Sequence, residues 1–185
     1  MVTAGMRRAV FLDRDGVINR AYVRDGKPYP PDSLEQLEIL PGVPAALERL
    51  REAGFLSVIV TNQPDVAHGK ASREAVEAMH ARLLQNLHVD AIKVCFHADA
   101  ADCACRKPRP GMLLEAAREL GIDLAASFMV GDRWRDVGAG HAAGCKSYFV
   151  DYGYAEKRPD KPYLAVKSLP EAVNLILESV SRAAA

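Results

Sequence analysis

The sequence lacks the long apolar runs, leader segments and charge imbalance that mark several classes of protein. No stretch of its 185 residues approaches the ~20 apolar residues of a membrane-spanning helix. Met1–Arg8 has no apolar core of a signal peptide and is predicted to be a frayed start. The 24 basic and 24 acidic residues cancel to a net charge of zero. We therefore expect a cytoplasmic protein that binds neither nucleic acid nor a membrane. We also expect a monomer, although no sequence motif bears on the oligomeric state.

Cysteine is scarce, and internal repeats, heptads and low-complexity tracts are absent. The chain has four cysteines, and because cytoplasmic thiols stay reduced, metal binding or packing is favoured over disulfides. No helix-opening glycine pattern supports dinucleotide binding. The composition, 49% hydrophobic and 26% charged, is that of an ordinary globular protein. The length predicts a single domain, residues 1–185, with a good core.

One short stretch organises the rest of the chain. The apolar run Ala9–Leu12 is typical of a strand buried on both faces, and it is followed by Asp13, Asp15 and Gly16. Residues two apart in an extended chain share a face, so both carboxylates can point into one site. Carboxylate oxygens suit Mg²⁺, which tolerates bound phosphate. The alternative is a strand end with a solvated acidic turn.

Polar groups also follow two later apolar runs. Phe55–Val60 is followed by Thr61 and Asn62, whose hydroxyl and amide are candidate ligands of phosphate oxygens or simple turn formers. Ser127–Val130 is followed by Gly131 and Asp132, and Asp132 is a candidate metal ligand. Asp136, four residues on, is predicted either to cap a helix over 134–143 or to support the site.

Three cysteines and a histidine lie within eleven residues, and they predict a zinc loop at about 95–105. Cys95, His97, Cys103 and Cys105 form two close pairs, which suits a tetrahedral structural Zn²⁺ with no open position. The alternative is a set of scattered buried thiols. Arg106 and Lys107 follow the last ligand directly and are candidate phosphate-binding cations or a solvated basic pair. Cys145 lies far away and is predicted to be in the core.

The remaining pattern alternates apolar strands with helices and predicts an α/β fold with a mainly parallel sheet. We expect strands over 89–96 and 146–150 in addition to the three above. Apolar residues at helical spacing follow Pro41-Gly42 up to Gly54, which predicts a helix there. The same spacing predicts helices over 72–87, 112–120, 134–143 and 169–180. The segments 19–40 and 151–164 are predicted to be irregular loops. The first is too short to contain an inserted cap domain.

The order of these motifs resembles the haloacid dehalogenase-like (HAD-like) phosphatase superfamily. The resemblance covers nearly the whole chain and rests on Asp13-Arg14-Asp15-Gly16, Thr61-Asn62, Lys107 and Gly131-Asp132. The cysteine and histidine loop followed by Arg106-Lys107-Pro108 is similar to the zinc-bearing branch. That branch holds D-glycero-D-manno-heptose 1,7-bisphosphate 7-phosphatases and histidinol-phosphate phosphatases. The resemblance implies a three-layer α/β/α Rossmann-like domain without a large cap.

Further residues look like those of the heptose group. They are Val17-Ile18-Asn19, Tyr22-Val23, Thr61-Asn62-Gln63 and Arg109-Pro110-Gly111-Met112. One segment departs from that group, which usually follows the glutamine with Ser-Gly, an apolar residue, Ala, Arg and Gly. Here the run is Pro64-Asp65-Val66-Ala67-His68-Gly69. An acid thus replaces a glycine and a histidine replaces an arginine, so the phosphatase chemistry stands while the substrate stays open.

The resemblance also implies a role for each site residue. Asp13 is the nucleophile and Asp15 the general acid and base. Mg²⁺ is held by Asp13, the backbone carbonyl of Asp15, and Asp132. The resemblance further implies that Thr61, Asn62 and Lys107 bind the transferring phosphate. Arg106, Arg133 and Tyr22 would bind more distant parts of the substrate.

The implied function is Mg²⁺-dependent removal of the 7-phosphate of the heptose bisphosphate through an aspartyl-phosphate, as a step in making the lipopolysaccharide precursor. Two alternatives stay open. One is a phosphatase of histidinol phosphate or another small phosphorylated metabolite, which would use the same catalytic residues. The other is a non-catalytic, zinc-stabilised binding module, which the intact set of Asp13, Asp15 and Asp132 disfavours. The preferred anomer and the oligomeric state are not indicated.

Overall fold

The computed structural model describes residues 6–183, and its centre is a six-stranded, wholly parallel sheet in the order β5-β4-β1-β6-β7-β8. The strands are β1 Arg8–Leu12, β2 Tyr22–Arg24, β3 Lys27–Tyr29, β4 Phe55–Asn62, β5 Ala91–Cys95, β6 Phe128–Gly131, β7 Lys146–Val150 and β8 Leu164–Val166. The helices are α1 Val43–Glu52, α2 Arg73–Asn86, α3 Gly111–Leu120, α4 Trp134–Ala143 and α5 Leu169–Ala183, with a 3₁₀ turn at Leu34–Gln36. The predicted parallel α/β fold is confirmed.

Alternation along the strands creates two hydrophobic layers, one on each face of the sheet. In β1, Val10 and Leu12 pack in one core with α1, α5 and the end of α2. Ala9 and Phe11 point to the other face and pack with α3 and α4. Because side chains alternate along a strand, the apolar run Ala9–Leu12 of β1 must be covered on both faces. This gives the expected three-layer arrangement.

The segment 19–40 is not wholly irregular as predicted, because it contains an antiparallel hairpin of β2 and β3. The two residues between these strands, Asp25 and Gly26, have positive φ angles of 50° and 72°. Such a pair favours the tight turn whose twist matches a hairpin. The Asp-Gly dipeptide was therefore the sequence signal for this element.

Other boundaries differ at the ends of the chain and at the sheet edge. Of the start predicted to be frayed, residues 1–5 lie outside the described residues. The prediction is wrong for Arg7 and Arg8, since Arg8 begins β1 and the Arg7 backbone bonds Gly121 and Asp123. Strand β8 was missed because it has three residues and pairs with β7 alone. No described helix has both the length and the apolar character needed to cross a membrane.

The three central strands bring the predicted motifs to one edge of the sheet. Strands β4, β1 and β6 are neighbours and run parallel, so their carboxyl ends meet. Asp13 follows β1, and its backbone N–H donates to the carbonyl of Val130 in β6 at 2.9 Å. In open α/β sheets, ligands bind at the carboxyl ends of the strands. This edge is therefore the candidate site.

Candidate active site

A buried ammonium lies between two aspartates at this edge. The Nζ atom of Lys107 is 2.7 Å from Oδ1 of Asp13 and 2.6 Å from Oδ1 of Asp136, and it donates to the carbonyl of Val60 at 2.7 Å. Only 2% of Lys107 is exposed. Burial opposes its charge, but Asp13 and Asp136 outweigh burial and raise the pKa of Lys107 above its ordinary value. The side chain is therefore a fixed cation.

Three carboxylates converge around this cation. Asp13, Asp132 and Asp136 each offer an oxygen atom within 4.8 Å of the other two. Oδ2 of Asp136 also accepts from the backbone N–H of Arg133 at 2.9 Å, at the start of α4. Two alternative roles were predicted for Asp136, capping a helix and supporting the site. Its two oxygens make both kinds of contact.

Two glycines allow the carboxylates to come this close. A Cβ atom on Gly16 would lie 2.0 Å from Oδ2 of Asp132, and Gly16 has a φ of +91°. A Cβ atom on Gly131 would lie 2.0 Å from Cβ of Asp136. Any side chain at either position would displace a carboxylate. Gly16 therefore permits both the positive φ angle of this turn and the close approach of Asp132.

Asp132 uses one oxygen atom in a hydrogen bond and leaves the other without one. Its Oδ2 accepts from the Tyr154 hydroxyl at 2.9 Å, whereas its buried Oδ1 accepts no hydrogen bond from any described residue. A buried carboxylate oxygen without a partner is costly unless a cation or water meets it. All three converging groups are oxygen ligands of the type that Mg²⁺ prefers. The cluster therefore fits a divalent cation.

Burial and mutual repulsion shift the titration of this cluster. Burial, and then the charge of Asp136, raise the pKa of Asp13 from 3.8 to about 6, although Lys107 acts in the opposite direction. Burial, and then the charge of Asp13, raise the pKa of Asp132 well above 3.8. A bound cation favours the ionised forms of both groups.

Asp15 lies beside the cluster in a different environment. Its two oxygens accept from Nε and Nη2 of Arg14, each at 3.1 Å. Asn19 donates to Oδ1 at 2.9 Å, and Gln63 donates to Oδ2 at 2.8 Å. The Asp15 side chain is not one of the three converging carboxylates, but it lines the same cleft as Asp13. These four hydrogen bonds fix the plane of the carboxylate.

Thr61 and Asn62 end β4 and take different positions. Asn62 lines the cleft, and its amide donates to the Lys107 carbonyl and accepts from the Lys107 N–H, both at 3.1 Å. It therefore ties β4 to the segment that carries Lys107. Thr61 is buried, and its hydroxyl accepts from Gln63 at 2.9 Å.

A cleft of about 200 Å³ opens in front of these groups. One wall is the β3 end of the hairpin, with Lys27 and Tyr29, and another carries Arg133 and Arg135 from the start of α4. Asp65 also lines the cleft, in the segment that departs from the heptose pattern. Lys27, Tyr29 and Arg135 were not predicted as site residues. The Asp-Gly signal of the hairpin could have indicated the first two.

Two of the residues predicted to bind distant parts of the substrate, Tyr22 and Arg106, do not line this cleft. The Tyr22 hydroxyl donates to the carbonyl of Gln36 at 2.8 Å, and its cross-strand neighbour Tyr29 lines the cleft instead. Arg106 is bound by the Asp99 carboxylate, with Nε to Oδ1 at 2.8 Å, and by the His97 carbonyl at 3.1 Å. The structure therefore brings neither Tyr22 nor Arg106 to the candidate site.

The four predicted zinc ligands form a second cluster. Sγ of Cys95 is 3.4 Å from Nδ1 of His97, 3.7 Å from Sγ of Cys103 and 3.1 Å from Sγ of Cys105. All four ligand atoms lie within 4.8 Å of one another. Burial raises the pKa of the Cys105 thiol to about 12, with contacts to its neighbouring thiols adding to the effect. This donor set fits a tetrahedral Zn²⁺. Cys145 is in the core, as predicted.

Known proteins are similar to this chain in both sequence and fold. The HAD-hydrolase-like family model matches residues 104–172. The D-glycero-β-D-manno-heptose-1,7-bisphosphate 7-phosphatase of Rhodopseudomonas palustris is 39% identical over 79% of this chain and 84% of its own. The protein of the same name from Bordetella bronchiseptica is 36% identical over 91% of both chains. The chain belongs to the HAD-like phosphatase family that these proteins represent.

A solved structure of this family has a fold similar to that of this chain. The D,D-heptose 1,7-bisphosphate phosphatase of B. bronchiseptica, complexed with magnesium and phosphate, matches this phosphatase with a TM-score of 0.79 and 33% identity. The match covers 93% of this chain and 99% of the other. The predicted resemblance is confirmed, and the chain is a phosphomonoester hydrolase.

The raised pKa of Asp13 predicts how Mg²⁺ changes stability with pH. A carboxyl group whose pKa rises on folding stabilises the metal-free protein below about pH 4 and loses that contribution as pH passes about 6. Mg²⁺ binds the ionised form, so its stabilising effect should grow over the same interval. We expect it to raise the melting temperature by about 5 to 10 °C near pH 7.5 at roughly 100-fold excess over Kd, and by less near pH 5.

Thermal unfolding with and without Mg²⁺, in buffers that retain zinc, measures this dependence. Asp132→Asn is the matched control, because it removes one charge from the cluster with little change in shape and should reduce the Mg²⁺ effect. An equal Mg²⁺ effect at both pH values, or an undiminished effect in Asp132→Asn, would contradict the site.

Proposed function

We propose that this phosphatase removes the 7-phosphate of D-glycero-β-D-manno-heptose 1,7-bisphosphate. The observation that carries the proposal is the charge distribution of one cleft. Lys107 and the aspartates occupy its floor, and three further cations, Lys27, Arg133 and Arg135, line its walls. A bisphosphate needs cations at both ends, and the floor and walls supply them. The relatives named above carry this activity in their names.

In the proposed reaction an oxygen of Asp13 attacks the phosphorus atom, and the bond from phosphorus to the sugar oxygen breaks. Asp15 gives its proton to the departing sugar oxygen, so the product leaves as a neutral hydroxyl group. Asp15 then takes a proton from a water molecule that attacks the aspartyl-phosphate. Inorganic phosphate departs and the Asp13 carboxylate is restored. Lys107, Thr61 and Asn62 bind the transferring group.

Asp13 and Asp132 would hold Mg²⁺ together with the backbone carbonyl of Asp15, and Asp136 lies within reach of the same point. A bound Mg²⁺ supplies positive charge that offsets the repulsion between phosphate and carboxylates. The chain itself orients the attacking oxygen, because Oδ1 of Asp13 is fixed by the Lys107 ammonium.

The second cluster, Cys95, His97, Cys103 and Cys105, would hold a structural Zn²⁺ with no chemical role. It would fix the loop that ends directly before Arg106 and Lys107. Asp99 lies in the same loop and contacts Arg106 and also Arg135, the latter at 3.5 Å. The zinc loop therefore supports one wall of the cleft, and Arg106 acts there as a support rather than as a direct contact.

The wider setting of the enzyme is also proposed. The chain is proposed to form one domain and to act as a monomer. The cysteines of this cluster are free thiols, a state that the reducing cytoplasm maintains, and this supports a cytoplasmic location. The product would feed the heptose branch of cell-surface polysaccharide synthesis.

Asp65 supports the second candidate, histidinol phosphate. Its carboxylate stands in the cleft where the heptose pattern has a glycine, and an acid there would attract the amine of histidinol phosphate. The two candidates share every catalytic group and differ only in what the walls bind. Substrate preference therefore separates them.

Phosphate release with Mg²⁺ tests the proposal on the β and α anomers of the heptose bisphosphate and on histidinol phosphate. We expect kcat/KM to be at least about tenfold higher for the β anomer than for either of the others. Arg135→Gln should lower kcat/KM for the bisphosphate by about 10- to 100-fold, because it removes a charge-assisted contact, and leave p-nitrophenyl phosphate nearly unchanged. A preference for histidinol phosphate would contradict the heptose assignment.

Metal analysis tests the zinc site. Cys103→Ser should reduce the zinc content from one per chain to near zero and lower the melting temperature, because a ligand that helps close the loop is lost. Cys145→Ala, a change to the remaining cysteine, should keep its zinc. Full zinc content in Cys103→Ser would show that the ligand set is wrong.

A further inference from the structure

Arg14 is a fully buried charge that lies between the active site and helix α2. None of its surface is exposed. Nε and Nη2 bind the two oxygens of Asp15, each at 3.1 Å, and Nη1 lies 3.1 Å from Nε2 of His80. A buried guanidinium with an unpaired N–H group is costly, so the third contact matters to the other two.

His80 is suited to accept this hydrogen bond. It lies on the inner face of α2 and is 8% exposed. Burial, and then the adjacent Arg14 charge, lower the pKa of His80 to about 4. The ring is therefore neutral near pH 7. Because arginine only donates, Nε2 of His80 must be the acceptor, and the ring proton is on Nδ1.

We propose that His80 is a positioning residue for the general acid: it fixes the Arg14 guanidinium, and Arg14 fixes the carboxylate plane of Asp15. The guanidinium is planar, so an acceptor on Nη1 sets the direction in which Nε and Nη2 point. The chain His80–Arg14–Asp15 connects a helix away from the cleft to the proton donor. The inference rests on the proposed role of Asp15 in catalysis.

Loss of this chain should affect substrates unequally. A sugar oxygen is a poor leaving group and needs a proton from Asp15 as the bond to phosphorus breaks, whereas p-nitrophenolate leaves readily without one. The kcat/KM value reports the steps up to and including departure of this group. A misplaced Asp15 should therefore lower kcat/KM for the heptose bisphosphate much more than for p-nitrophenyl phosphate.

The decisive variants are His80→Phe and His80→Gln. His80→Phe keeps a ring of similar size but has no acceptor, and it should lower kcat/KM about tenfold or more for the sugar phosphate and less than about threefold for the aryl phosphate. His80→Gln places an amide oxygen near the position of Nε2 and should restore most of the sugar phosphate activity. His88→Phe, at an exposed histidine just after α2, is the matched control and should change neither value.

Three outcomes would overturn the inference: equal losses for both substrates in His80→Phe, no loss for either, or no rescue by glutamine. His80→Leu, which is smaller and also lacks an acceptor, replaces His80→Phe if the latter does not fold, as judged by its zinc content and thermal unfolding. Wild-type protein that hydrolyses the aryl phosphate but not the heptose bisphosphate would instead count against the proposed function, and the leaving-group comparison would then use phenyl and p-nitrophenyl phosphates.

Discussion

The Lys107 ammonium is the contact on which the rest of the site depends. It lies between Asp13 and Asp136, with Asp132 close by, and all four side chains are buried. Three buried carboxylates repel one another, and removing the one partner of a buried charge typically costs about 3–5 kcal/mol. The lysine offsets part of this repulsion, and Oδ1 of Asp132, which has no hydrogen-bond partner among residues 6–183, is where a further positive charge would fit. The floor of the cleft therefore combines a fixed cation with a carboxylate cluster that fits a divalent metal ion.

Two parts of the fold supply the catalytic floor and the walls of the cleft. The central strands β4, β1 and β6 bring Asn62, Asp13 and Asp132 to one edge of the sheet, where backbone hydrogen bonds and two apolar cores hold the strand ends in place. The walls come from the β2–β3 hairpin, the start of α4 and the segment with Asp65. With such a division, substitutions in the walls can change the substrate preference while the groups proposed for phosphoryl transfer stay in place.

The parts of the site that follow from strand ends were predictable from the sequence. Asp13 and Asp132 follow continuous apolar runs, and parallel strands bring such ends together. The zinc cluster was equally visible, since its ligands are close along the chain. The contacts between residues that are distant in the sequence were not predictable. His80 reaches Arg14 across 66 positions and Tyr154 reaches Asp132 across 22, and no local pattern indicates either contact. Arg106 was expected at the substrate, but its pairing with Asp99 depends on how the zinc loop folds back.

Locating the transferred phosphoryl group shows directly whether Asp13 is the nucleophile. Wild-type enzyme mixed with the heptose bisphosphate and Mg²⁺, then quenched in acid within the first turnover, is digested and examined by mass spectrometry. We expect a phosphoryl group on Asp13, bound as an acyl phosphate that hydroxylamine removes, and none in Asp13→Asn. Phosphate release without a phosphorylated Asp13, or turnover retained in Asp13→Asn, would contradict the assignment of Asp13 as the nucleophile.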